Sequence, residues 1–391
     1  MFLQASAFNQ EIRTWDVSSF PTTSNMFSGA SAFLANTIWN ANASPGQTFW
    51  TFFTGYTDSS GTVYDANPNP WQKETITNTS LSSLITEYVN DPTNQQFTSS
   101  IGYGVPNTWD VSQVTDMSRL FFTVATNRSF NADINDWDVS NVTNMSLMFH
   151  KNTSFNKPIY KWNVSKVTNA ESMFRGASKF NQNISTSVQS RDGVEYLAWK
   201  LPSNCTHMSP LYDARNFNNG VILTYEGNDR SNPVIKVEEW DNNTGDYVTI
   251  KDVDNGDTIE ETDIKRAPLN WYIPTSITAM GSFFRTAMSY NQDMINQTIT
   301  YTLNGVSGSY EAWDVSHIQS FYWMFYDARG FNGNVNSWDV SNVTNMEGCF
   351  NRCGVFNKPL YNWNTSKATN MNEMFLQASA FNQEIRTWDV S

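Results

Sequence analysis

Two stretches decide the reading of this chain: WDVSNVTNMSLMFHKNTSFNKPIYK at 137–161 and WDVSNVTNMEGCFNRCGVFNKPLYN at 338–362. Each ends where another Trp begins, and the steps Trp137 to Trp162, Trp313 to Trp338, Trp338 to Trp363 and Trp363 to Trp388 are all 25 residues. The shared unit is W-D-V-S-x-V-T-N-M-x-x-M-F-x-x-A-x-x-F-N-x-x-I-x-x. A fixed period of this size marks a repeat architecture in which neighbouring units bury each other's apolar faces.

Each part of the unit carries an expectation. Asn144 stands before Met145, Met148 and Phe149, an apolar stripe behind a capping residue, which predicts a helix of about two turns. Trp162, Asn163 and Val164 alternate and predict a short strand paired with the same segment of the next repeat. Trp137, Trp162, Trp338, Trp363, Met148 and Phe149 are expected in the core. Asn144 is expected as a helix cap, and Asn156 and Asn357 as rungs of a buried Asn ladder that satisfies backbone groups. Trp markers from Trp15 to Trp388 predict about ten repeats. The fold class expected is an α/β repeat solenoid, one continuous array over 1–391.

Four spacings exceed the period, and they place insertions at about 64–108, 185–198, 223–270 and 295–312. Each enters just before a Trp, so all are expected on one edge. In the largest, VILTYE, PVIKVEEW, DYVTIKDV and TIEETDI, separated by NNTG and DNGD, predict an antiparallel meander. The first contains LSSLITEYVND, which reads as a helix.

The motifs WDVSNVTNM, MFRGASKFNQ and FNQEIRTWDVS resemble the bacterial surface protein 26-residue repeat, which is similar to the BspA-like branch of leucine-rich repeats. The resemblance covers roughly two thirds of the chain. It implies right-handed, leucine-rich-repeat-like coils and a cell-surface or appendage location. It carries no catalytic residues, and it is silent about the insertions.

Composition narrows the function. The chain of 391 residues has 15 Trp, 16 Tyr and 26 Phe, enough for a large core, and a formal net charge of −13. That charge opposes phosphate backbones and anionic lipid heads, so neither nucleic acid nor a membrane surface is an expected partner, and no apolar run is long enough for a bilayer span. Cys205, Cys349 and Cys353 are too few for a disulfide framework and are read as small buried hydrophobes, with a bridge between Cys349 and Cys353 as the alternative. His150, His207 and His317 lie far apart with no adjacent nucleophile, and no enzyme is expected. Asp252, Asp254, Asp257 and Glu260 in DVDNGDTIE offer an oxygen-rich calcium candidate, against which an Asn-Gly turn is an equal explanation. Among many N-x-S/T sequons, Asn78, Asn141, Asn242, Asn296 and Asn342 are the glycosylation candidates.

Residues 1–18, MFLQASAFNQEIRTWDVS, are identical to residues 374–391. Identity that includes surface positions predicts a second period of 373 residues, in a longer protein whose units continue end to end as a filament or stalk. The partners expected are further copies of the same unit. The competing expectation is an extracellular adhesin that binds glycan or protein through its curved face or inserted edge.

Overall fold

A computed structural model of the chain describes residues 76–94, 97 and 103–389, with the backbone of 56–57 and 63–64. The repeats expected around Trp15 and Trp39, and the structure of the recurring segment 1–18, lie outside the described residues. Regular secondary structure is dominated by small antiparallel sheets. Strands β1 (Tyr56–Thr57) and β2 (Val63–Tyr64) pair, as do β4 (Ser187–Arg191) with β5 (Val194–Ala198) and β10 (Gln297–Leu303) with β11 (Val306–Ala312). Strands β7 (Val221–Tyr225), β8 (Val234–Asp241) and β9 (Asp246–Asp252) make a three-stranded meander. The parallel pairing between described strands is that of β3 (Asn169–Ala170) with β6 (His207–Met208). Helices α1 (Asn78–Asn90) and α2 (Glu261–Ile264) both lie in insertions.

The expected α/β repeat solenoid, a strand plus a helix per leucine-rich-repeat-like coil, is therefore corrected. Neither element forms where the periodicity placed it. The segment 145–151 is a run of turns in which alternate amides leave the repeat altogether: Met145, Leu147, Phe149 and Lys151 donate to the carbonyls of Asn169, Glu171, Met173 and Arg175 at 2.7–2.9 Å. The residues between them close local turns, as His150 N does to Leu147 O at 3.0 Å. Left-handed backbone makes this possible. Leu147 and Lys151 have φ of 56° and 55°, and the same two repeat positions are left-handed at Trp323 and Asp327, at Gly348 and Arg352, and at Glu373 and Gln377. A residue with φ near +55° cannot continue a right-handed helix, yet it keeps Met145, Met148 and Phe149 pointing inward, so the apolar spacing imitates a helix.

The expected Trp strand is also replaced. Asp138 Oδ1 accepts from Ser140 N, Asp314 from Ser316 N and Asp339 from Ser341 N at 3.0 Å, which makes W-D-V-S an Asx turn. Parallel bridges run instead through the T-N-M segment, from Asp116 to Asn144 to Asn169 and from Ala279 through Ser320 and Asn345 to Asn370. Asn144 is not a helix cap: its Oδ1 accepts from Ser146 N in another Asx turn.

Three ladders run through the layered core. Trp indoles stack from Trp313 through Trp338 and Trp363 to Trp388 at 5.9–6.4 Å, and each donates Nε1 to a carbonyl of the preceding repeat, as Trp162 does to Ile134 O at 3.0 Å. Phe180, Phe217, Tyr290, Phe331, Phe356 and Phe381 stack at 5.6–6.0 Å. Beside them, the Oδ1 of Asn131, Asn156, Asn181, Asn218, Asn291, Asn332 and Asn357 each accepts the backbone N–H of the next Asn along, at 2.7–2.9 Å; the ladder is buried only at Asn181, Asn218 and Asn291, while Asn156 is half-buried and Asn357 exposed, because the insertion at 223–270 covers the middle rungs alone. Trp137, Met148, Phe149 and Trp162 are wholly buried, and Trp338 and Trp363 nearly so.

The insertions at 185–198, 223–270 and 295–312 leave this stack just before Trp199, Trp271 and Trp313. Hairpin β4–β5 turns on Asp192-Gly193 and β10–β11 on Asn304-Gly305, all four residues with positive φ, as a two-residue hairpin requires. The tips meet where Glu195 N donates to Asn304 Oδ1 at 3.1 Å. The segment 223–270 is rooted beside them, with Asn270 and Thr186 bonded in both directions, and its meander leans toward the Asn ladder, where Tyr247 donates its hydroxyl to Asn181 O. TIEETDI is not a fourth strand. Glu260 and Asp263 form a capping box there, and α2 results.

Candidate functional site

At repeat positions 10, 11 and 14 most repeats show polar or small residues outward, but one shows Tyr322, Trp323 and Tyr326. Their rings stack, Tyr322 on Trp323 at 4.9 Å and Trp323 on Tyr326 at 5.0 Å. Trp323 is one of the left-handed residues, and this turn of the backbone lays its indole flat across the neighbouring repeat. Gly348 makes that possible, since a Cβ there would run into the Trp323 ring. Arg285 threads the cluster from the other side, its guanidinium 4.3 Å from the Trp323 ring centre, 5.0 Å from Tyr326 and 5.5 Å from Tyr212. Arg175 covers Tyr212 at 4.6 Å, and Arg352 lies 5.6 Å from Tyr326.

This aromatic and arginine platform spans repeats that are far apart in sequence. Tyr322 is 37% exposed and Trp323 and Arg285 are half-buried, yet Trp323 Nε1 and Arg285 Nε are shielded and have no hydrogen-bond partner. A flat aromatic face edged by guanidinium groups suits a ligand that offers a C–H or π face. Beyond it, Arg230, Arg329 and Arg352 line an open groove with Asp229 and Asp327, and Arg329 Nε pairs with Asp327 at 2.8 Å. The sequence reading missed the platform. Its visible signal was YWMFYD at 322–327, where aromatics fall on outward as well as inward positions.

The residues singled out from sequence do not converge on it. Asp252 Oδ1 accepts from Asp254 N at 3.0 Å and Asp257 Oδ2 from Asp252 N at 2.9 Å, so two of the calcium candidates hold a turn closed by Gly256, and Glu260 caps α2. Among the described residues, no three His, Cys, Asp or Glu side chains stand close enough to hold a metal. The three cysteines are buried and unbridged, and burial pushes their thiols up, that of Cys205 to about 11. His150 is buried with its Nδ1 against Arg175 O at 2.9 Å, His207 pairs with Thr206 and His317 with Pro274 O.

Of the sequons, Asn141 and Asn342 are equivalent and both committed. Each donates Nδ2 to the preceding repeat, at Ser112 O and Ser316 O, and accepts a Lys from the next, Lys166 or Lys367. Asn78 accepts from Thr115 N and Asp116 N, 37 and 38 residues along the sequence. Asn242 is exposed in the turn between β8 and β9, and Asn296 is half-buried beside Ser337. Among the described residues no helix is long and apolar enough to cross a membrane.

No curated protein and no solved structure matches this sequence. A family does, over residues 1–81, 86–222 and 297–391, so the match stops as the meander begins and resumes at β10. With well over half of its length matched, the chain belongs to the family described as "Mycoplasma protein of unknown function, DUF285".

Proposed function

We propose that this chain is an extracellular structural repeat protein whose units continue end to end as a filament, stalk or surface fibre. The observation that carries the reading is where the repeated residues go. Four recurrent sets of polar groups bond to a neighbouring repeat: the Asn ladder, the Trp indoles, the T-N-M bridges and the alternate amides of the turn segment. Such a stack gains stability from each repeat added. The recurrence of 18 identical residues at 373-residue spacing supports a unit that is itself repeated. Resemblance of WDVSNVTNM to the bacterial surface repeat supports an extracellular place. Negative-stain electron microscopy of the protein at rising concentration tests it: regular fibres are expected, and discrete particles at every concentration would refute it.

A second reading, an adhesin, is favoured by one specific observation, the stacked face of Tyr322, Trp323 and Tyr326 edged by Arg285. A glycan array comparing the parent with Trp323→Ala decides it. Micromolar binding lost in the variant supports a receptor role, and no binding by either removes it.

A further inference from the structure

Among the described residues, Lys265 is the lysine driven into the Asn ladder. It follows α2, its side chain is 8% exposed, and its Nζ donates to Asn291 Oδ1 at 2.7 Å, Asn291 O at 2.5 Å and Asn332 O at 3.0 Å. Elsewhere in the ladder a glutamine holds this place: Gln182 Nε2 donates to the O and Oδ1 of Asn156, and Gln383 Nε2 to Asn357 Oδ1. After Asn332 the glutamine is replaced by Gly333, where a Cβ would collide with the Gln292 carbonyl, and Lys265 fills the gap from outside the stack. Filling the gap requires only an amide. A primary amine against a carboxamide, with an acid beside it, is a different chemistry.

The acid is Asp293, whose Oδ1 is 3.9 Å from Lys265 Nζ. Asn291 Oδ1 already accepts the Asn332 N–H at 2.9 Å, so its carbonyl is polarised by a fixed donor. The side chains of Tyr225 and wholly buried Tyr290 border the site, and the remaining charges that act on Lys265 are Glu261 and Lys358, themselves an ion pair. We propose that Lys265 and Asn291 are joined by an intramolecular isopeptide bond, formed autocatalytically with Asp293 as the proton shuttle.

The step balances within the chain. Asp293 takes a proton from the Lys265 ammonium, and the free amine attacks Asn291 Cγ, one bond beyond the oxygen it now touches. Charge develops on Oδ1, held by the Asn332 N–H. The Asp293 proton passes to the amide nitrogen, the C–N bond breaks and ammonia leaves. Asp293 then removes the extra proton from the new amide nitrogen and loses it to ammonia or solvent. One amide replaces another, and no oxidant or cofactor takes part. Burial already lowers the Lys265 ammonium to about 8, which brings the free amine within reach near neutral pH. The result would lock α2 and the meander to the ladder, whatever the stack is used for.

Intact-mass spectrometry of the purified full chain tests this. The folded protein is expected to weigh one ammonia less than its sequence, and a digest should contain a branched peptide joining Lys265 to Asn291. Lys265→Gln reproduces the amide found in the other layers and should keep both the fold and the full mass; Asp293→Asn should also keep the full mass. Full mass in the parent after incubation at pH 9, with trypsin cutting after Lys265, would overturn the proposal. Loss of ammonia without the branched peptide would overturn it too, since Asn255-Gly256 and Asn304-Gly305 can lose ammonia by forming succinimides.

Discussion

Asn156 shows how single residues hold this molecule together. Its Oδ1 accepts Asn181 N at 2.8 Å while its own N–H donates to Asn131 Oδ1. Truncation to Ala orphans a buried amide, which costs about 1–3 kcal/mol; Asn156→Ala should lower stability by that amount in chemical denaturation, and Asn156→Asp by less at neutral pH. The left-handed positions supply a test of opposite sign. Lys151 holds φ of 55° where the next repeat has Gly176 and pays a penalty of roughly 1–2 kcal/mol that glycine does not. Lys151→Gly should recover part of it, less the entropy of a freer unfolded chain. Gly348→Ala should be destabilising by more than that strain alone, because the new Cβ also meets Trp323. Protonation gives a third test. Burial holds the His150 imidazole below its ordinary range, so the folded protein binds this proton less readily than the unfolded chain does. Stability therefore rises with pH through the window below about 6.5 and is lost as pH falls through it. Thermal melting between pH 5 and 7 should show this dependence, weakened in His150→Gln.

At the scale of elements, the two hairpins lean on each other through half-buried Glu195 and exposed Asn304, so their coupling should be small. A double-mutant cycle with Glu195→Ala and Asn304→Ala should give an interaction of about 1 kcal/mol or less. These hairpins are legible in the sequence, since Asp192-Gly193 and Asn304-Gly305 are two-residue turn signals. Helix α1 was legible because LSSLITEYVND has both a period and a capping Thr77. The repeat segment misled for a physical reason. Its inward residues at i, i+3 and i+4 have helical spacing, while the dihedrals at Leu147 and Lys151 that forbid a helix belong to residue types with no preference for positive φ. Asp138 misled in the same way: an Asx turn and a strand both put it outside and Trp137 and Val139 inside. The ladder rung at Lys265 was invisible, because its partner Asn291 is 26 residues away and only the missing glutamine at Gly333 hints at it.

For the whole molecule, the layers form one continuous buried cluster from Ile76 to Met374. A charge in its middle has no water to reach. Met148→Asp with Phe149→Asp should cost several kcal/mol and loosen the repeats on both sides, read as loss of the cooperative melt. A milder change probes the account at its centre, which is that each repeat is held by backbone bonds to its neighbour and not by a helix of its own. Met346, Gly348, Phe350 and Arg352 donate their amides to Asn370, Asn372, Met374 and Leu376 at 2.7–2.9 Å. Residue-resolved amide hydrogen exchange on the parent and on Phe381→Asp, which places a charge in the accepting repeat against Phe356 and Phe375 and away from the four donors, is the direct measurement. These four amides should exchange slowly in the parent and lose their protection together in the variant; protection that survives the substitution would mean that the segment is held by bonds within itself, and the account would be wrong.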